Sequence, residues 1–220
     1  MNVASYIDHT LLKPSILTAD VEQLCSEAYE YGFAAVCIPP PFVKRSKLLL
    51  SPTTVRVATV IGFPFGYSVI EAKVAEAVMA MVDGADELDM VINITALKNG
   101  DWTYLEKEIN LVLEVVRSQH RVLKVIIESG ILAEDEIIAC CRLYGNAGVD
   151  FVKTSTGYAE RGASVRDVQL IRRHLPSNIR VKASGGIRTC EFAKELIEAG
   201  ADRLGCSASV AIVSNTNTTG

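Results

Sequence analysis

The sequence predicts a single α/β domain folded as a (β/α)8 barrel, and three observations carry this prediction. The chain has 220 residues, 49% of them hydrophobic, which suits one domain the size of a compact α/β barrel. A junction in which a helix ends on glycine and a buried strand follows recurs at 31–37, 83–89, 147–153 and 199–205. Glycine clusters suited to a phosphate follow the late strands, and no G-x-G-x-x-G opens an early helix, so a closed barrel is favoured over an open doubly wound sheet.

Eight strands are expected in alternation with helices. One lies near 6–10, four lie in the glycine junctions, and three more are short apolar runs at 55–61, 122–127 and 179–183. The intervals carry helical periodicity, at 18–31, 42–50, 68–83, 103–118, 134–146, 165–174 and 190–199.

Capping residues support three of these helix starts. Thr103 has Glu106 at the capping-box spacing, Ser164 precedes Asp167 in the same way, and Thr189 stands at the start of the last long helix. The barrel is expected to span 1–213. The small polar residues 214–220 would not pack a core and are expected to form a mobile tail.

Composition and charge exclude several classes of function. The formal net charge is −4 and no dense basic run occurs, so nucleic acid is not an expected partner. No stretch of 18 apolar residues and no export signal are visible, so no membrane association is expected and the protein is predicted to be cytoplasmic. Six cysteines without C-x-x-C spacing predict free buried thiols, and three scattered histidines give no metal site.

Four charged residues interrupt strands that should be apolar. They are Asp89, Lys124, Lys153 and Lys182, on the predicted strands four to seven. A buried charge is costly unless it is paired, so any one of them could be a rim residue or part of a structural salt bridge. Together they fall on consecutive strands, and several lie near the carboxyl ends, where barrel enzymes build active sites.

Three amines with one carboxylate predict a dry, positive cluster. A lysine crowded by other cations loses its proton more easily, and a neutral amine is what attack on a carbonyl requires. The pattern therefore favours imine chemistry on one of these lysines.

Three glycine-bearing segments, 153–157, 183–188 and 204–209, predict a phosphate site. Glycine allows backbone N–H groups to approach an anion closely, Arg188 lies beside one segment, and Ser207 stands where a last short helix would begin. One such loop could be an ordinary tight turn, but three on neighbouring strands favour phosphate binding.

At these residues the sequence resembles the deoxyribose-phosphate aldolases. The matching stretches follow the family order over nearly the whole chain, at 7–14, 35–39, 60–66, 87–93, 124–128, 151–157 and 181–188. The resemblance implies a class I aldolase that reversibly cleaves 2-deoxy-D-ribose 5-phosphate to D-glyceraldehyde 3-phosphate and acetaldehyde, without metal or cofactor. It also implies a homodimer.

The family motif assigns a role to several residues of this chain. It implies that Lys153 forms the imine, that Lys182 is the second lysine that favours its neutral form, and that Asp89 handles protons through water. The implied phosphate-binding residues are Gly157, Gly185, Gly186, Arg188, Gly205 and Ser207. Further candidates for the pocket or its support are Asp8, Cys37, Lys124, Thr154 and Thr156.

Two departures from the family pattern stand out. Tyr158 occupies a position that is basic in some members, which puts that phosphate contact in doubt. Some members end in a tyrosine that assists proton transfer, whereas this sequence ends Thr-Thr-Gly.

Two other functions fit the same barrel. A phosphosugar isomerase or epimerase would use a carboxylate or histidine base and form no imine. A phosphometabolite-binding barrel without chemistry would keep the glycine loops but need not keep both Lys153 and Lys182. The presence of both lysines disfavours this second alternative, and imine trapping decides between the aldolase and an isomerase or epimerase.

Overall fold

The computed structural model describes residues 2–214, in which eight parallel strands close into a barrel in chain order. The last strand pairs with the first, so the predicted (β/α)8 barrel is confirmed. The strands are β1 Ile7–Thr10, β2 Ala35–Ile38, β3 Arg56–Ile61, β4 Glu87–Val91, β5 Val122–Ile126, β6 Phe151–Lys153, β7 Arg180–Ser184 and β8 Arg203–Cys206.

The seven predicted helices are present, and two short ones join them within the described residues. The helices are α1 Thr18–Tyr31, α2 Val43–Leu50, α3 Ile70–Val82, α4 Ile94–Lys98, α5 Trp102–Ser118, α6 Glu134–Ala147, α7 Val165–His174, α8 Cys190–Glu198 and α9 Ser209–Ser214. The five-residue α4 was not predicted, because a single turn is too short to show helical periodicity.

Side-chain caps fix two helix starts at the carboxyl end of the barrel. Ser164 Oγ accepts a hydrogen bond from Asp167 N at 3.1 Å, and Thr189 Oγ1 accepts one from Phe192 N at 3.2 Å, as predicted. The predicted cap at Thr103 is wrong. Helix α5 begins one residue earlier, because Asp101 Oδ1 accepts from the N–H of Tyr104 at 3.0 Å and an aspartate caps at least as well as a threonine.

The pleat of the strands separates an apolar core, between the barrel and its helices, from a charged interior inside the barrel. Successive side chains of a strand point to opposite faces. In β4, Leu88 and Met90 pack in the hydrophobic core between barrel and helices. Asp89 between them is fully buried and ion-paired inside the barrel. In the register of β6 and β7, Lys153 lies opposite Lys182, so two cations are neighbours across the sheet.

A buried ion pair anchors the carboxyl end of β4. Lys73 Nζ on α3 donates to Glu108 Oε1 on α5 at 2.6 Å and to the carbonyl of Val91 at 2.8 Å. The other oxygen of Glu108 accepts from Asn93 N at 3.1 Å. Both charged side chains are fully buried, so the pair ties α3 and α5 to the strand that carries Asp89.

The predicted tail lies almost entirely beyond the described residues. Residues 1 and 215–220 lie outside the described residues, so the predicted tail 214–220 is described only at Ser214, the last residue of α9. Within 2–214, none of the helices combines the length and the apolar character needed to cross a membrane.

Candidate active site

Three lysines converge on one carboxylate inside the barrel. Asp89 Oδ2 accepts hydrogen bonds from Lys153 Nζ at 2.7 Å and from Lys182 Nζ at 2.8 Å. Its Oδ1 accepts from Lys124 Nζ at 2.8 Å. The barrel therefore brings together the four charges that the sequence placed on consecutive strands.

Two more carboxylates and a guanidinium extend this group. Asp8 accepts from Lys182 with Oδ2 and from Arg203 Nη1 with Oδ1, the latter at 2.6 Å. Glu87 Oε2 lies 2.6 Å from Lys124 Nζ and 3.4 Å from Arg203 Nη1. We call the seven residues the charge cluster: Asp8, Glu87, Asp89, Lys124, Lys153, Lys182 and Arg203.

The predicted charge balance of the cluster was therefore wrong. Four basic side chains face three carboxylates, rather than three amines facing one. Glu87 and Arg203 are the first residues of their strands, and Asp8 lies in the short first strand. Polar residues are common at such positions on the rim of a barrel, so the sequence did not mark these three as buried. Asp8 was predicted only as a candidate for the pocket or its support, and Glu87 and Arg203 were missed.

The ion pairs fix the charge states of the buried groups. Burial would raise the pKa of the Asp8 carboxyl, but cations led by Lys182 and Arg203 outweigh it and lower this pKa to about 2. Burial also opposes ionisation of Asp89, yet its three lysine partners hold its pKa well below the ordinary value. Burial would lower the pKa of Lys182, and Asp8 and Asp89 more than reverse this, so it lies above the ordinary value. The same balance raises the pKa of Lys124.

Lys182 and Lys124 are accordingly ammonium groups throughout the neutral pH range. Lys182 shares one oxygen of Asp89 with Lys153, which places a permanent positive charge next to the Lys153 amine.

A cavity of about 500 Å³ opens above the charge cluster, at the carboxyl end of the barrel. Among the described residues, Lys153 is the one lysine of the cluster that lines it. The lining consists of Thr10, Leu11, Leu12, Lys13, Pro14, Lys153, Thr156, Gly157, Tyr158, Ser184, Gly185, Gly186, Ile187, Arg188, Gly205 and Ser207.

All six residues predicted to bind phosphate lie on this cavity. Gly185 has φ of 87°, and a Cβ there would lie 3.0 Å from Gly162 Cα, so the backbone conformation and the space both require glycine. Gly205 is constrained by space: a Cβ would lie 2.8 Å from Ser184 Cβ and 3.3 Å from Lys182 Cε. Ser207 precedes the last helix by two residues, because α9 begins at Ser209, so its predicted place at the helix start is wrong.

The remaining candidates lie around or beneath the cavity. Thr156 lines it, whereas Thr154 is fully buried and its Oγ1 accepts from Ser184 N at 3.1 Å. Cys37 is fully buried, and burial raises the pKa of its thiol. Lys124 lies in the charge cluster and not on the cavity.

Glu128 is a polar residue that the sequence did not single out. Its backbone is left-handed, with φ of 55°, and its carboxylate accepts from the N–H and the hydroxyl of Thr156. Burial raises the pKa of this carboxyl. A non-glycine residue in this conformation is uncommon, and here it holds the segment that follows Lys153 against the end of β5.

Tyr158 closes one side of the cavity. Its hydroxyl donates to the carbonyl of Leu12 at 3.0 Å, and its ring meets Phe63 edge-on with centroids 5.5 Å apart. It therefore joins loops that follow three different strands. Because position 158 is a tyrosine and not a basic residue, the basic side chains on the described lining, apart from Lys153, are Lys13 and Arg188.

His9 links the first strand to two helices. His9 Nε2 lies 2.8 Å from Glu27 Oε2 and its Nδ1 lies 2.9 Å from Ser209 Oγ, linking β1 to α1 and α9. Within residues 2–214, no group of three or more His, Cys, Asp or Glu side chains is placed to hold a metal ion.

Comparisons with known proteins agree with this geometry. Residues 2–214 match the model of the DeoC/LacD family aldolases. A deoxyribose-phosphate aldolase from Thermoanaerobacter sp. (strain X514) is 53% identical over 218 residues, which cover 99% of this chain and 98% of that protein.

Two solved structures share the fold. The tetrameric deoxyribose phosphate aldolase from Aeropyrum pernix has a TM-score of 0.92 at 32% identity, covering 98% of this chain and 91% of that one. QR15, an aldolase, has a TM-score of 0.93 at 41% identity, covering 97% and 95%. The cavity, the lysine-rich barrel interior and these likenesses lead to one conclusion: the chain belongs to the DeoC/LacD family of aldolases.

Proposed function

We propose that this aldolase reversibly cleaves 2-deoxy-D-ribose 5-phosphate to D-glyceraldehyde 3-phosphate and acetaldehyde through an imine on Lys153. The observation that carries the proposal is the position of the Lys153 amine, between a buried set of charges and a cavity lined by glycine loops. The name of the Thermoanaerobacter relative supports the choice of substrate.

The first half of the reaction forms the imine. The neutral amine of Lys153 adds to the C1 aldehyde of the open-chain sugar, and the resulting carbinolamine loses water to give a protonated imine. Lys182 stays protonated beside this amine, so its charge favours the neutral nucleophile before attack.

The second half breaks the carbon–carbon bond. The C3 hydroxyl gives up its proton as the C2–C3 bond breaks, and the bonding electrons move into the enamine that remains on Lys153. Glyceraldehyde 3-phosphate leaves, C2 of the enamine takes a proton, and water hydrolyses the imine to acetaldehyde and free lysine. Asp89 stays ionised one hydrogen bond from Lys153, which supports a role for it in relaying these protons through a water.

The phosphate occupies the glycine-lined side of the cavity. Backbone N–H groups near Gly157, Gly185 and Gly186 surround it, and Arg188 and Lys13 supply positive charge. Gly205 and Ser207 complete this wall.

Replacing Arg188 by alanine is expected to raise KM for 2-deoxyribose 5-phosphate about 10-fold or more, the scale of one charge-assisted hydrogen bond. KM for unphosphorylated 2-deoxyribose should change little. Steady-state kinetics with both sugars measure this. Arg142→Ala, on an exposed position of α6, is the matched control. If Arg188→Ala raised KM equally for both sugars, Arg188 would not bind the phosphate.

The proposal also includes a homodimer in the cytoplasm. Large apolar side chains exposed on α3, among them Met79 and Val82, offer a face that a second copy could cover. The Aeropyrum relative is described as tetrameric, so sedimentation of the pure protein would distinguish two copies from four.

Imine trapping tests the proposed chemistry. Incubation with acetaldehyde and borohydride should add one reduced two-carbon unit, and peptide mapping should place it on Lys153. An isomerase or epimerase on this barrel would give no adduct. If no lysine is labelled and 2-deoxyribose 5-phosphate is not cleaved, the Schiff-base mechanism is wrong for this protein.

A further inference from the structure

The charge cluster continues below the reacting lysine to the base of the barrel. Arg203 and Glu87 are the first residues of β8 and β4, at the end opposite the cavity. Arg203 Nη1 lies 2.6 Å from Asp8 Oδ1, and the other oxygen of Asp8 holds Lys182. Glu87 Oε2 lies 2.6 Å from Lys124, which in turn donates to Asp89. Ion pairs thus run by two routes from the base to Asp89, which holds Lys153 through Oδ2, and the 3.4 Å contact between Arg203 Nη1 and Glu87 Oε2 joins the two routes at the base.

Both base residues are shielded from water. The side chain of Glu87 is 2% exposed and that of Arg203 is 12% exposed. The guanidinium of Arg203 also lies 5.7 Å from the ring centre of Phe151. Charges in such surroundings act over longer distances than charges in water, because little solvent screens them.

Each packed strand contributes its own groups to this interior. The charged and titratable groups around Lys153 and its partners are Asp8 on β1, Cys37 on β2, Arg56 on β3, Glu87 and Asp89 on β4, Lys124 on β5 with Glu128 after it, Lys182 on β7, and Arg203 and Cys206 on β8. Arg56 is 55% exposed and 3.7 Å from Glu87, so solvent weakens its influence.

We propose that Arg203 and Glu87 are positioning residues that set the pH at which Lys153 becomes a nucleophile, Arg203 acting through Asp8 and Lys182, and Glu87 through Lys124 and Asp89. The proposal rests on the imine chemistry proposed above. Neither residue lines the cavity, so neither touches substrate. The positive charge of Arg203 favours the neutral amine of Lys153, and the negative charge of Glu87 favours its ammonium form.

Opposite charge changes should therefore move the pH profile of labelling in opposite directions. We expect Arg203→Met to move the pH midpoint of acetaldehyde and borohydride labelling upward by about one unit, and Glu87→Gln to move it downward. The double variant, which removes one charge of each sign, should return close to the wild-type midpoint. Arg203→Lys keeps the charge and should stay close to wild type.

Arg180→Met is the matched control. Arg180 also stacks on Phe151, with its guanidinium carbon 4.0 Å from the ring centre, but it is solvent-exposed. Its loss should leave the labelling midpoint unchanged. Thermal unfolding of every variant shows whether it is folded, and Glu87→Gln, which is nearly isosteric, decides the sign of the effect even if Arg203→Met does not fold.

The outcomes separate this proposal from the one on which it rests. If wild-type protein is not labelled at all, the imine chemistry itself fails. If wild type is labelled on Lys153 while Arg203→Met and Glu87→Gln lose labelling without a shift, or shift in the same direction, the two residues are only structural. A midpoint shift in Arg180→Met as large as that in Arg203→Met would also overturn the proposal.

Discussion

Lys153→Ala is expected to lower the rate of 2-deoxyribose 5-phosphate cleavage by about 10⁴-fold or more, roughly 5 kcal/mol of transition-state stabilisation. No other lysine of the charge cluster lines the described cavity wall, so we expect none of its members to replace Lys153 in imine formation. Turnover assays and trapping with acetaldehyde and borohydride measure the loss. Lys107→Ala, which removes an exposed lysine of α5, should keep both activity and label.

The site of any residual label is informative. An adduct that persists in Lys153→Ala and maps to Lys182 would exchange the roles of the two lysines while leaving the aldolase chemistry in place. An adduct on Lys13 would instead show that the nucleophile is this lysine, which lines the cavity after β1.

Lys182→Met is expected to have the next largest effect, on both activity and stability. It removes the ammonium shared by Asp8 and Asp89, which leaves two fully buried carboxylates with fewer partners. Breaking a buried pair in this way costs about 3 kcal/mol of unfolding free energy or more. It also removes the fixed positive charge beside Lys153, so labelling at pH 7 should slow and its pH midpoint should rise, with turnover lower by about 100-fold or more.

Denaturant unfolding and the pH profile of trapping measure the two effects separately. Lys194→Met, at an exposed position of α8, is the control for loss of a lysine. A folded Lys182→Met protein with the wild-type labelling rate and midpoint would show that Lys182 holds the carboxylates together without acting on Lys153.

Much of this architecture could be predicted because barrel strands are constrained on both faces. The eight strands and seven main helices follow from glycine junctions and apolar runs, and charges such as Lys153 stood out against that apolar background. The family resemblance was confirmed by a match over 2–214. The roles given to individual residues remain predictions that the experiments above can test.

The sequence could not supply the partners of those charges. Arg203 and Glu87 begin their strands, where a polar residue carries no signal, and only closure of the barrel brings them to Asp8 and Lys124. Glu128 was missed for a different reason. Its importance lies in a left-handed backbone and a contact with Thr156, neither of which a linear pattern displays.

Gly205 shows that closing the barrel and placing the second lysine are one requirement. A Cβ at this position would lie 2.8 Å from Ser184 Cβ and 3.3 Å from Lys182 Cε, so a methyl group fits only if its neighbours shift. The φ of Gly205 is not in the left-handed region, so it is the missing side chain and not backbone freedom that this position needs. The stem of Lys182 lies beside Gly205, where β8 pairs with β7 on one side and β1 on the other. The strand that closes the barrel therefore needs glycine at the point where it meets this lysine.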